Sequence, residues 1–225
     1  MLRLIFSGDF NAVSIAAYLM SLCYIIFCAT PLHEYAHARV AVALGDDTPL
    51  LRNRVTLNPM AHISPTGALM MLLWGIGYAK PVEVRMRNFK NPKRDMALVA
   101  LAGPACNLLQ AVVCLIIYNA LFLIPAANNV YLNAGRLFFF YAASINVNLA
   151  VFNFIPVPPL DGSRLLTALL PSKYYYKLMQ YERYIFYAVM ALLLFGVLDR
   201  PLAYITGYVF RGLGYLAHLP FSKLF

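Results

Sequence analysis

Between Asp95 and Arg136, forty consecutive residues (Met96 to Gly135) carry no charged side chain. A helix crossing a bilayer needs about 20 apolar residues, so this run alone holds a complete span. Phe10 to Leu32 and Leu137 to Leu160 are two further charge-free runs of comparable length. Composition agrees: the chain is 62% hydrophobic and 12% charged, with a mean hydropathy of +0.68, and its charged share is about half that of an ordinary soluble domain. The 225 residues read as an integral membrane protein.

The second run predicts a helix from Met96 to about Ile124, closed by Pro125 and the polar AANN. The third cannot stay helical to its end, because FNFIPVPPL places three prolines within four residues. Tyr184 to Leu198, Leu202 to Phe210 and Ser64 to Ala79 are shorter candidates. The expectation is therefore a membrane all-α fold: one polytopic helical bundle over residues 1–225 with five or six membrane segments. The first run has no small-residue cleavage site and is read as a retained span. KPVEVRMRNF alternates Val82, Val84 and Met86 with Glu83, Arg85 and Arg87, the period of a strand. Leu51 to Leu57 matches more weakly, and together the two segments predict a small β-hairpin or sheet.

The excess of 18 Lys and Arg over 9 Asp and Glu reports orientation in such a chain. Six basic residues fall between Lys80 and Arg94, and Arg164, Lys173, Lys177 and Arg183 follow the third run. Both groups are placed on the cytoplasmic side. The first is not interleaved with stacking aromatics, so nucleic-acid binding is not expected. Cys23, Cys28, Cys106 and Cys114 lie inside apolar runs with no CxxC pair, which predicts buried, unpaired thiols.

Against this background the stretch ATPLHEYAHARVA, residues 29–41, stands out. Desolvating two histidines and a glutamate at the end of a span costs free energy unless a cation or proton is held there. His33 and His37 are spaced i and i+4 and share a helix face, so both imidazoles can bind one zinc ion. Glu34, turned about 100° around the axis, can reach a water on that ion instead of the metal. With four histidines and three glutamates in the chain, HExxH arises by chance roughly once in a thousand shuffles. A catalytic zinc usually takes three protein ligands. Asp161, in PVPPLDGSRLL, places a carboxylate where prolines have broken a helix, and broken backbone at membrane depth lines a cavity or is buried in protein. The same PPLDG also reads as a plain turn, with Asp161 accepting from its own backbone and Gly162 at positive φ. His62 and His218 are the other histidines.

HEYAH at 33–37 followed by NFIPVPPLDG at 153–162 resembles the site-2 protease family of intramembrane zinc metalloproteases. LNPMAHISPTGALM (57–70) and AKPVEVRMRNFKNPKRDMALVALAGPACNLLQA (79–111) are similar to the compact prokaryotic branch, which carries no PDZ or nucleotide-sensing domain. The resemblance runs from about Ala29 to Arg164. It implies one Zn2+ per chain held by His33, His37 and Asp161, with Glu34 as general base and Asn153 assisting the substrate carbonyl. It also implies a transmembrane protein substrate and a multi-pass position in the lipid bilayer of the inner membrane, with the site open to the cytoplasm. Where that branch reads HxDPxG, this chain has His62, Ser64, Pro65 and Gly67, so a carboxylate is missing. His62, Val82 and Val84 are the residues for a substrate or gate role: an open strand edge there takes an unwound segment as an added strand, or the hairpin is covered and structural. Asn107, Asn146 and Asn148 are read as packing amides, and Gly103 and Pro104 as sites of close helix approach or bending.

Two other classes fit parts of the pattern. An inactive relative that only binds membrane segments has no need of Glu34, and a zinc or proton transporter spreads its ligands through several depths.

Overall fold

The computed structural model describes residues 12–74, 77–125 and 129–222, and the N-terminal residues of the first charge-free run lie outside these. Helix α1 runs unbroken over Ala12–Ala43 and contains a π turn at Ile25–Ala29. Pro31 explains the turn: proline donates no hydrogen bond and its ring clashes with the carbonyl four residues back, and a π turn just ahead of it lets the backbone widen. The short helices α2 (Thr48–Leu51), α3 (Pro59–His62) and α4 (Pro65–Trp74) follow.

Helix α5 (Pro92–Phe122) starts with proline at its first position, where no N–H is needed, and the Asp95 carboxylate accepts from the Asn91 N–H at 2.9 Å. Helix α6 (Val130–Asn153) is capped by Asn129, whose side chain accepts from the Leu132 N–H. It stops at Asn153, where the proline-rich segment 154–160 bends away, and α7 (Asp161–Leu169) begins at once. Helices α8 (Ser172–Gln180), α9 (Glu182–Leu194) and α10 (Asp199–His218) complete the described chain.

Helix α5 is the hub, packing against α1, α6, α7 and α10. Fully buried alanines, including Ala111, Ala142, Ala143, Ala150 and Ala217, line these contacts and let backbones approach closely, as membrane helices require. Leu19, Met20, Phe27, Leu109 and Val113 point outward, an apolar surface of the kind that faces lipid.

Among the described residues three helices, α1, α5 and α6, are long and apolar enough to span a membrane. The expected five or six segments are not confirmed: within Ser64 to Ala79 the described helix is the ten-residue α4, and Tyr184 to Leu198 falls on the thirteen-residue α9. The expected β-hairpin is not formed either, since the described residues contain no strand, only an isolated bridge between Ile63 and Ala79. Leu51 to Leu57 turns instead, with Asn53 at φ 53°. The alternation in 82–87 is real, for Val82 is buried while Glu83, Arg85 and Arg87 are exposed. The partner, however, is not a strand. The Val82 N–H donates to Glu34 Oε2 at 3.2 Å and the Arg85 N–H to Asp46 Oδ2 at 2.7 Å, so two carboxylates replace a β-ladder. Asp46 is fully buried and also accepts from the Thr48 N–H and hydroxyl and from Asn88 Nδ2. The four cysteines are unpaired as expected, but only Cys114 is buried; Cys23 and Cys28 are exposed on α1.

Candidate metal centre

His33 and His37 face the same side of α1, their rings 4.7 Å apart and nearly perpendicular. Helix α1 continues six residues beyond His37, to Ala43, so the motif sits within a continuous helix. Asp161 reaches them from the first turn of α7. Its Oδ2 lies 3.1 Å from both His33 Nε2 and His37 Nε2, and the two nitrogens are 3.0 Å apart. The bend that delivers Asp161 depends on Gly162. A Cβ there would collide with the Phe154 and Ile155 carbonyl oxygens, so the glycine is needed for close backbone approach and not for the positive φ that a plain turn would use. Asp161 spends its carboxylate on the imidazoles.

The donor set fits zinc. Tetrahedral ligands at about 2.0–2.1 Å stand about 3.3 Å from one another, and the three atoms here need only a small expansion. His37 Nδ1 donates to the Val99 carbonyl at 2.7 Å, which fixes the ring and leaves the Nε2 lone pair for a cation, as is usual for histidines that bind metals. His33 and His37 are nearly buried, and their convergence with a carboxylate is intelligible if a cation joins them. Gly103 on α5 makes room: a Cβ would lie 2.5 Å from His33 Cε1 and Nε2 and closer still to His37 Nε2. The sequence marks Gly103 for close helix approach, and the group approached is the imidazole pair.

A cavity of about 330 Å³ opens beside the cluster, its wall including Glu34, Asn153, Val82, Tyr78 and Arg164. Glu34 is 9% exposed, oriented by the Val82 N–H. Asn153 is the last residue of α6, brought to the wall by the same break that brings Asp161. His62 and Val84 are not part of that wall. His62 is fully buried, with Nε2 donating to the Thr56 carbonyl at 2.8 Å, and Val84 packs on Ala41, Phe89, Met96 and Val99. Asn146 bonds its own helix at the Ala142 carbonyl, and Asn148 is exposed. Asn107, read from sequence as packing, lines the cavity.

Apolar helices of span length around a buried His–His–Asp cluster with an adjacent glutamate define a helical membrane metalloprotein of hydrolytic type. Comparison with known proteins gives the same answer. The profile of peptidase family M50 matches residues 120–197. YwhC of Bacillus subtilis, named as a candidate zinc metalloprotease, is 39% identical over 165 residues, covering 72% of this chain and 74% of that protein. Rip2 of Mycolicibacterium smegmatis, named likewise, is 32% identical over 191 residues, 83% of this chain and 68% of its own. No solved structure matches. The chain belongs to peptidase family M50, the site-2 proteases, and is a membrane-embedded zinc metalloendopeptidase.

Proposed function

We propose that this enzyme hydrolyses peptide bonds in or near transmembrane segments of membrane proteins, in the inner membrane, with its site open to the cytoplasm. The observation that carries the reading is the meeting of His33, His37 and Asp161 within 3.0–3.1 Å, with Glu34 on the wall of the same cavity. Zinc, when bound by these three residues, acidifies water and polarises the scissile carbonyl. Glu34 accepts the water proton and later returns it to the leaving amine. Because Oε2 already accepts from the Val82 N–H, the proton is held at Oε1. Asn153 donates to the substrate carbonyl from the cavity wall.

A substrate helix hides its peptide bonds in its own hydrogen bonds and must unwind first. The extended run 82–85, which pairs with no strand among the described residues, supports its use as an edge for the unwound segment. Phe186 of α9 also lines the cavity and stands edge-on to Tyr78, whose hydroxyl bonds Thr66, so α9 closes one side and must move to admit a helix. The basic residues of 80–94 lie on the segment tied to the end of α1 through Asp46. This favours a cytoplasmic position for that end by the positive-inside rule.

The test is purification, zinc analysis and exposure to a membrane proteome. Wild type should release cut fragments of membrane proteins, and Glu34→Gln should lower kcat by about 10²–10⁴ with zinc retained. Full cleavage by zinc-loaded Glu34→Gln would remove the general base, and no cleavage by wild type would leave a binding protein.

A further inference from the structure

Asn107 stands one helical turn beyond Gly103 on α5. It is 2% exposed and forms part of the cavity wall. Positions i and i+4 share a face, so Asn107 looks out on the side where Gly103 touches His33 and His37. Burying a primary amide among apolar helices is costly unless its bonds are made, and the bonds it makes are one-sided.

Gln110, on the next turn, fixes them. Its Nε2 lies 3.4 Å from the Ala29 carbonyl and 3.5 Å from Asn107 Oδ1, while the Tyr24 hydroxyl bonds its Oε1 at 3.1 Å. A carbonyl only accepts, so the amide nitrogen of Gln110 must be the atom facing Ala29. Its second N–H faces both the Cys106 Sγ at 3.6 Å and Asn107, and Asn107 meets it with its oxygen. The Asn107 Nδ2 is left with no hydrogen-bond partner among the described residues. Ala29 is the last residue of the π turn in α1, and such turns recur at functional sites. The result is a chain, Tyr24 to Gln110 to Asn107, that ends in a free amide donor beside the metal centre.

We propose that Asn107 is a second amide donor to the scissile carbonyl oxygen, and that Gln110 is the positioning residue that holds it. The proposal rests on the reading of this cavity as the place of peptide hydrolysis. In that reaction water adds across the peptide bond: its oxygen joins the carbonyl carbon, the C–N bond breaks, and the proton taken by Glu34 passes to the departing nitrogen. Negative charge gathers on the carbonyl oxygen as the water attacks. A preorganised N–H aimed there strengthens with the charge, and loss of one such donor costs about 10²–10³ in kcat.

The experiment uses the full chain in detergent with fluorescein-labelled casein and a cleaved single-span membrane protein as probes, comparing wild type, Asn107→Ala, Asn107→Ser and Gln110→Leu. The expected result is a fall in kcat of about 10²–10³ for Asn107→Ala and about tenfold for Gln110→Leu. Asn107→Ser should fall between wild type and Asn107→Ala, with KM, zinc per chain and thermal midpoint close to wild type in every case. Unchanged kcat in Asn107→Ala, or a rise in KM alone, would overturn the proposal. So would zinc loss parallel to activity loss in both Asn107 variants, since that marks a structural role. Failure of the underlying reading looks different: wild type cleaves neither probe, or Glu34→Gln cleaves both.

Discussion

Gly103 carries more of the site than its lack of a side chain suggests. Any Cβ there meets both imidazoles, and the clash falls on rings already fixed by a hydrogen bond to Val99 and by Asp161. Gly103→Ala is therefore expected to lower zinc per chain at least tenfold under mild chelation, as perturbing the surroundings of metal ligands does, measured by elemental analysis after dialysis. Gly207 on α10 is the matched control, because a Cβ there meets nothing within 4 Å. Gly207→Ala should leave zinc content unchanged and stabilise the helix by about 0.5–1 kcal/mol, visible as a raised thermal midpoint. Two glycines in long apolar helices look alike in the sequence, and only the neighbour across the interface separates them.

Among the elements, the segment 80–88, extended as far as Arg85 and closed by a 3-10 turn at Met86–Asn88, is the one the sequence describes with the right period and the wrong partner. Period 2 follows from one inward face, here the buried Val82 with Val84 and Met86 packed toward Ala41 of α1 and Met96 and Val99 of α5, and it does not say what satisfies the backbone. Asp46 does much of that. Burial works against its ionisation, but the hydrogen bonds from Thr48, the Arg85 N–H and Asn88 outweigh this and hold the carboxyl below its usual range. A carboxylate with a lowered folded-state pKa contributes stability that is complete above its unfolded pKa of about 3.9 and fades as pH falls through the folded value. Hydrogen exchange at Val82 to Asn88 should accordingly rise as pH is lowered below about 4 once intrinsic rates are corrected. Asp46→Asn should show loosened exchange already at neutral pH, with a loss of about 1–3 kcal/mol. Helix α9 makes the other element-scale prediction. Phe186 and Tyr78 meet edge to face on the cavity wall, so a disulfide-containing bis-maleimide linker joining Tyr78→Cys to Phe186→Cys in a background without the native cysteines should cut cleavage of a membrane substrate at least tenfold, with recovery on reduction. Unchanged cleavage in the linked form would show that substrate enters elsewhere.

At the scale of the whole molecule, orientation is the open physical claim, and labelling tests it. With the native cysteines removed, Glu83→Cys, on the exposed side of the basic segment, should react with an impermeant thiol reagent only from the cytoplasmic face. Tyr131→Cys, 89% exposed near the start of α6, should react from the opposite face; the reverse pattern would invert the topology. Removal of zinc should lower the thermal midpoint, because a ligand bound only by the folded state stabilises it by mass action. Much of this molecule is legible in the sequence because the signals are local. Charge-free runs of span length, the prolines that end α6 at Asn153, and the i, i+4 spacing of His33 and His37 each follow from the geometry of one segment. Tertiary structure alone decided the rest. It brought Asp161 within 3.1 Å of two imidazoles 128 and 124 positions away, replaced the expected hairpin by the carboxylates of Glu34 and Asp46, and turned the amide of Asn107 toward the cavity through Gln110. Those outcomes depend on which buried polar group finds which partner, and a partner distant in the chain leaves no periodic trace in it.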